Sequence, residues 1–260
     1  RPDEPHFRLT TLDEKMRLFE RLGLDFAVVL TFDANLANLS ATEFIEQVLV
    51  GALRVSHVVI GYDFFFGKGR GGNPETMRAA GREHGFGVTV VPPVAEAGEV
   101  FSSSAIRAKL SAGDVRGAAR DLGHWWRLSG VVTGGAKRGT GLGFPTANIT
   151  LPRGTALAHG IYAVRVFVGE ERYGGAAYLG TRPTFDHGLP VLEIFLFDFD
   201  GDLYGKEIQV EFLDFIREDQ RFPGAEALVA QMHADCARAR EIIADVDRRS
   251  PLAGFPLAEA

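Results

Sequence analysis

A chain of 260 residues with 28 Lys and Arg against 34 Asp and Glu carries a net charge of −6. Residues 1–125 hold 14 basic and 16 acidic side chains and residues 126–260 hold 14 and 18, so neither half has the Lys/Arg footprint of a general nucleic-acid binder. Hydrophobic residues at 46% and charged residues at 24% fit one large or two ordinary globular domains, and no apolar run nears the roughly 18 residues a membrane span needs.

The first six residues hold no apolar stretch and do not read as a signal peptide. The single cysteine, Cys236, permits no disulfide within the chain and fits a reducing, cytoplasmic setting. Helical spacing with a Thr/Asp start predicts a helix over residues 11–22. The continuous apolar run over 26–32 predicts a strand covered on both faces. Ser40 with Glu43 three positions on is a capping box, opening a helix over 40–52. A strand over 55–61, a helix over 74–84 and a strand over 88–91 complete a βαβ rhythm, hence a parallel sheet with helices on its faces.

Two loops of this half invite function. In Gly61–Gly67, three consecutive Phe residues are expected to pack inward. Asp63 follows a strand's C-terminal end, where α/β sheets take their ligands. Ser102, Ser103 and Ser104 open a helix with Arg107 one turn in, which makes either an anion site or a plain serine cap with a surface Arg.

The second half changes character. From Leu128 to Leu213, short runs of β-branched and aromatic residues alternate with glycine turns, with strands over 161–168, 173–179, 191–199 and 208–215. This predicts a small antiparallel barrel. A helix over 224–247 follows, with Leu228, Met232 and Ile242 at core positions, and the residues from Ser250 form a tail. The boundary lies between Leu122 and Leu128, giving domains 1–124 and 125–260.

The run Gly134–Asn148 carries the strongest chemical signal. Gly134, Gly135, Gly139, Gly141 and Gly143 surround Lys137 and Arg138, so backbone N–H groups and two cations can crowd an anion. Pro145 then leads to Thr146 and Asn148, two hard oxygen donors of the kind Mg²⁺ accepts. A phosphate cradle running into such a pair reads as a nucleoside triphosphate site. Glu193 is the second signal. An acidic residue in an apolar strand is either a water-facing edge charge or a general base in a pocket. The glycine loop favours the base, since an acceptor hydroxyl attacking a γ-phosphate needs one. Asp214–Phe222 reads either as a solvated strand-to-helix connection or as a lip over a planar ligand, with Arg217 pairing or stacking. Tyr204 sits in a tight turn, packed or near the ligand. Trp125, Trp126 and the Phe-rich loop leave one non-catalytic alternative, stacking platforms for single-stranded nucleic acid.

Residues 143–148, 159–163, 180–185, Glu193, 202–205, 216–217 and Phe222 occur in the order of the riboflavin kinase module of the bacterial bifunctional riboflavin kinase/FMN adenylyltransferase family, which the chain resembles throughout. The first half resembles the adenylyltransferase module through residues 8–10, 61–67 and 102–107. The resemblance implies an α/β plus β architecture: a Rossmann-like nucleotidyltransferase domain followed by the antiparallel kinase barrel and its C-terminal helix. It implies that ATP phosphorylates riboflavin to FMN, and that the other domain adenylylates FMN to FAD. Thr146 and Asn148 would hold Mg²⁺. Gly135, Lys137, Arg138, Gly139, Gly141, Gly143 and Pro145 would bind ATP, Glu193 would activate the ribityl hydroxyl, and Arg217 and Tyr204 would face the flavin. Asp63, Ser103, Ser104 and Arg107 would line the second nucleotide site. The implied partners are riboflavin, ATP and FMN, with no nucleic acid or membrane, and self-association is compatible with them. A flavin-binding regulatory relic is a third reading of the same resemblance.

There are departures. The family's His-x-Gly-His phosphate loop is absent, so the chain reads as truncated at its N-terminus and is expected to form little or no FAD. Trp125 and Trp126 replace a smaller Pro-Tyr pair. Ala136 stands where the glycine loop often carries Asp.

Overall fold

The computed structural model describes residues 7–96, 98–134, 144–151, 154–181 and 190–249. It divides into two packing units: residues 26–101, and residues 1–25 with 102–260. Helix α1 (Leu12–Arg21) belongs to the larger unit. Its Thr11 cap accepts from the Glu14 N–H, with Asp13 and Glu14 in the first turn and Arg21 in the last, as the helix dipole favours.

In the smaller unit, Asp33 caps α2 (Ala34–Asn38). The capping box forms as expected: the Glu43 N–H donates to Ser40 Oγ, and the Ser40 N–H donates to Glu43 Oε2 at 2.8 Å. It opens α3 (Ala41–Glu43), which runs on as a π-helix over Phe44–Ala52. Strand β1 (His57–Gly61) and β2 (Gly87–Val91) pair in parallel, with His57 opposite Gly87 and Gly61 opposite Val91. Between them α4 (Pro74–His84) starts on an Asn73 cap with Pro74 at N1, and ends on Gly85 at φ +79°, a left-handed cap that suits glycine. β3 (Ala95–Glu96) and β4 (Glu99–Val100) form a small hairpin. Ile45, Ile60, Phe66, Met77 and Phe86 build the core.

Two expectations for this unit need correction. Residues 26–32 are not a strand, and Phe26 and Phe32 are 89% and 80% exposed. Apolar continuity states what a strand could bury, but a strand exists only where a neighbouring edge takes its hydrogen bonds. Among the described residues, the unit's parallel sheet consists of β1 and β2. Of the three phenylalanines only Phe66 is buried; Phe64 stacks on it and Phe65 lies under the Arg70 guanidinium, both partly in solvent.

In the larger unit, Ser102 caps α5 (Ser103–Ser111) and Asp114 caps α6 (Val115–Leu122). Six strands follow: β5 (Arg127–Val131), β6 (Ala147–Thr150), β7 (Gly160–Val168), β8 (Glu171–Thr181), β9 (Pro190–Leu196) and β10 (Glu207–Arg217). They form one antiparallel sheet in the order β5-β10-β7-β8-β9-β6, an almost closed barrel. Gly169, at φ +63°, supplies the left-handed residue of the two-residue β7–β8 turn. Strand alternation sends Ile149, Tyr162, Val164, Leu179, Ile194 and Phe212 inward. Burial pushes the Tyr162 hydroxyl well above its ordinary pKa, and it donates to the Ala158 carbonyl. The final helix, α7 (Ala225–Arg249), lies on the outer face, packing Ala239, Ile242 and Val246 against Ala163, Phe197 and Leu213.

Leu110, Val115 and Ala118 share the barrel's core, so α5 and α6 pack with the barrel. Packing thus divides the chain at residues 101 and 102, upstream of the change in sequence character near residue 124. Trp125 and Trp126 are buried, at 6% and 0% exposure. Trp126 Nε1 donates to the Leu9 carbonyl and its ring meets Phe7 edge-on, so neither indole is a platform for stacking bases.

Candidate active site

Ladder partners on adjacent antiparallel strands present their side chains to the same face. Asn148 on β6 pairs with Glu193 on β9, Glu193 with Tyr178 on β8, Tyr178 with Ile161 on β7, and Ile161 with Arg217 on β10. One row of five strands therefore carries an amide, a carboxylate, a phenol, an apolar spacer and a guanidinium. At roughly 4.8 Å per strand, Glu193 and Arg217 lie about 14 Å apart along the sheet. The neighbouring row, Ala147, Ile194, Ala177 and Tyr162, points into the barrel core. The functional row is therefore on the barrel's outer face.

Helix α7 and the connection before it cover this row and leave a cavity of about 300 Å³. Glu193, Tyr178, Ile161 and Arg217 line it, together with Thr146, two residues before Asn148 on the extended chain. Phe144, Phe195, Phe222, Leu228 and Met232 make much of the wall apolar. Phe144 is held against Phe195 and His233 at ring separations of 5.1 and 4.9 Å. Leu228 and Met232 are thus cavity walls; of the three helix residues expected in the core, Ile242 alone is buried there. A 3.6-residue period identifies a helix's apolar face but not whether that face meets packed side chains or a space.

The polar ends of the cavity are built differently. At one end stand Glu193 and Thr146; the Thr146 carbonyl accepts from Nδ2 of the buried Asn148 at 3.3 Å, and the Asn148 backbone carbonyl accepts from the Thr133 N–H, while Asn148 itself is outside the cavity lining. At the other, Arg217 Nε and Nη2 donate to the two oxygens of Asp235 on α7 at 2.9 and 2.6 Å. Tyr178 donates to Asp219 at 3.1 Å, tying β8 to the connection over the cavity. Asp235 escaped the sequence reading. Its signal was an acidic residue on the face carrying Leu228 and Met232, seven and three positions on, where an unpaired charge would be costly.

Other expected site residues are placed as follows. Gly135, Lys137, Arg138, Gly139, Gly141 and Gly143 lie outside the described residues. Pro145 is exposed between the cavity residues Phe144 and Thr146. Tyr204 is 49% exposed in a turn where its N–H donates to Asp202, and it does not belong to the cavity wall. Asp63 is exposed after β1 in the smaller unit. In the larger unit Ser102, not Ser103 or Ser104, is the cap of α5, and Arg107 Nε donates to the Phe7 carbonyl at 2.6 Å. Among the described residues no group of three or more His, Cys, Asp or Glu is placed to hold a metal.

Cys236 also lines the cavity, half-buried beside Asp235. Burial first, and then the Asp235 charge, push its thiol up to about 11. The thiolate is the reactive form, and a rise of about two units leaves on the order of 100-fold less of it at neutral pH. Alkylation by iodoacetamide at pH 7.5 should therefore be on the order of 100-fold slower in the folded protein than in the denatured chain. Equal rates would show an ordinary exposed thiol.

Known proteins match this chain along most of its length. Residues 122–243 match the family model of riboflavin kinase and residues 1–105 that of FAD synthetase. The bifunctional riboflavin kinase/FMN adenylyltransferase of Escherichia coli strain K12 is 40% identical over 240 residues, covering 92% of this chain and 77% of that protein. The Bacillus subtilis strain 168 protein of the same description is 37% identical over 239 residues, covering 90% and 75%. A crystal structure described as a macrolide-efflux protein from Streptococcus pneumoniae superposes with a TM-score of 0.79 at 30% identity, covering 90% of this chain and 76% of that one. The efflux role in that description belongs to that protein. Among the described residues no helix of this chain is long and apolar enough to cross a membrane.

Proposed function

Since the chain belongs to the family of bifunctional riboflavin kinase/FMN adenylyltransferases, we propose that the outer-face cavity of its barrel is where riboflavin meets ATP. The chain is a flavin-biosynthetic transferase of a family that uses ATP and a divalent metal and yields FMN and FAD. One observation supports this assignment of the site most directly. A single strand row puts a carboxylate at one end and a fixed guanidinium at the other of a largely apolar cavity.

A planar flavin ring suits the Phe222 and Arg217 end, and its ribityl chain then reaches along the row toward Glu193. Glu193 accepts the 5′-hydroxyl proton as that oxygen bonds to the γ-phosphorus of ATP. The bond to the bridging β–γ oxygen breaks, and FMN and ADP result. The apolar wall excludes water that would otherwise compete as the acceptor. Thr146 and Asn148 fit Mg²⁺ by donor chemistry. Two neutral oxygens are what an ion completed by phosphate oxygens and water requires. Mg²⁺ bound there would neutralise charge on the phosphates. Gly135, Lys137, Arg138, Gly139, Gly141, Gly143 and Pro145 are proposed to cover the nucleotide.

The same reading divides function at residues 124 and 125, assigns Asp63, Ser103, Ser104 and Arg107 to adenylyl transfer, and places the reactions in the cytoplasm. Incubating the purified chain with riboflavin, ATP and Mg²⁺ should form FMN, seen by chromatography. Excess chelator should abolish it, and excess Mg²⁺ restore it. FMN formation unaffected by the chelator would remove the metal from Thr146 and Asn148, and no FMN with Mg²⁺ present would overturn the reading.

A further inference from the structure

We propose that Asp235 is a positioning residue of the kinase site, holding the Arg217 guanidinium in one plane at the flavin end of the cavity. The inference rests on the reading that Arg217 faces the flavin. Arg217 ends strand β10 and Asp235 lies on helix α7, so their pairing spans two elements. The two bonds run in parallel from Nε to Oδ1 and from Nη2 to Oδ2, the fork-to-fork arrangement that fixes a guanidinium's orientation as well as its place. Nη1 donates to the Glu218 carbonyl at 2.9 Å. Of the five N–H groups of an arginine, these use three, and one remains on each terminal nitrogen.

Asp235 is itself held. It is 5% exposed and accepts a third bond from Gln231 Nε2, one turn earlier on α7, at 2.9 Å. Both partners line the cavity, and the Arg217 guanidinium stands 5.8 Å from the Phe222 ring centre. Two consequences follow. The pair carries no net charge, so this end of the cavity suits an uncharged ring with carbonyl acceptors better than an anion. The remaining donors are also pre-aligned, and an arginine freed from its partner would have to give up rotamer entropy on each binding event. Asp235 thus acts on flavin affinity through Arg217. Proton removal at Glu193, three strands away along the row, does not depend on it.

Steady-state kinetics of the full chain test this with Asp235→Asn, Asp235→Glu and Arg217→Ala. Asp235→Asn and Arg217→Ala should each raise KM for riboflavin roughly tenfold, with kcat within about twofold and KM for ATP unmoved, the pattern of lost ground-state binding. Asp235→Glu, which keeps a carboxylate, should recover most of the KM. If Arg217→Ala raises KM and a folded Asp235→Asn does not, the positioning role is wrong and the flavin-side reading of Arg217 stands. If Arg217→Ala leaves KM unchanged, that reading itself fails. Should Asp235→Asn not fold, Gln231→Ala decides. A KM rise of about threefold at unchanged kcat supports the role, since one supporting bond is lost, and an unchanged KM overturns it.

Discussion

Replacing Glu193 with Gln is expected to lower kcat for FMN formation by about 10²- to 10⁴-fold, the usual contribution of a positioned general base. The amide keeps the size of the side chain and can still accept a hydrogen bond from the ribityl hydroxyl. It cannot take the proton at neutral pH. KM for riboflavin should therefore change little, because in the proposed binding mode the ring lies at the other end of the row, against Arg217 and the apolar walls that line the cavity there. The loss should also appear in single-turnover measurements, where product release does not contribute. A Glu193→Gln protein that forms FMN at the wild-type rate would remove the base from the mechanism while leaving the cavity in place. Melting temperature is the control. Glu193 sits in a strand whose inward neighbours Leu192 and Ile194 are fully buried, and the amide disturbs neither of them.

Glu211→Ala should be strongly destabilising to the barrel. Glu211 is 1% exposed and sits between two arginines: Arg127 Nη2 donates to Oε1 at 2.6 Å and Arg165 Nη1 to Oε2 at 3.0 Å. The side chains of Arg127 and Arg165 are themselves only 3% and 9% exposed. Removing the carboxylate leaves buried Arg127 with the neutral Gln209 side chain and Arg165 with the partly exposed Asp247, a loss of about 3–5 kcal/mol by precedent for broken buried pairs. For a protein of this size that lowers the melting temperature on the order of 10 °C. Asp247→Asn provides the contrast. Asp247 pairs with the same Arg165 at 2.5 Å, but its side chain is 40% exposed, so its removal should cost under about 1 kcal/mol. Equal losses for the two variants would mean that burial does not set the energetics of this cluster. Both are read by thermal denaturation followed by circular dichroism.

The elements that were legible in the chain share one property: their signals are local. The Ser40–Glu43 box, the Ser102 cap, and Pro74 ahead of a helix that stops at Gly85 all act within four residues or one helix. The barrel strands show in their β-branched alternation, and β7 and β8 extend only one or two residues beyond the expected bounds. Residues 26–32 carry as strong an apolar signal as any strand, yet no strand forms there. Whether a strand forms depends on a partner edge, which its own residues do not encode. Trp125 and Trp126 were ambiguous for the same reason. An indole stacks on a base or packs in a core according to its neighbours: Trp126 meets Phe7, Leu9 and Phe212, and Trp125 shares a buried cluster with Ala163, Phe197 and Leu213.

The site divides along the same line. Thr146, Asn148, Glu193 and Arg217 could each be named from residue type and motif order. What the sequence by itself determined was the chemistry available: hard oxygen donors, a carboxylate in an apolar strand, a guanidinium beside aromatics, and the family these spell out in order. Only the tertiary structure decided that Asn148, Glu193 and Arg217 stand in one strand row, that Tyr204 is outside it, and that Asp235 holds Arg217. Residue chemistry and helix or strand period are properties of a few neighbouring residues. Strand order and register come from contacts between segments as far apart as Arg127 and Glu211, summed over the whole fold, and no short stretch of sequence carries that sum.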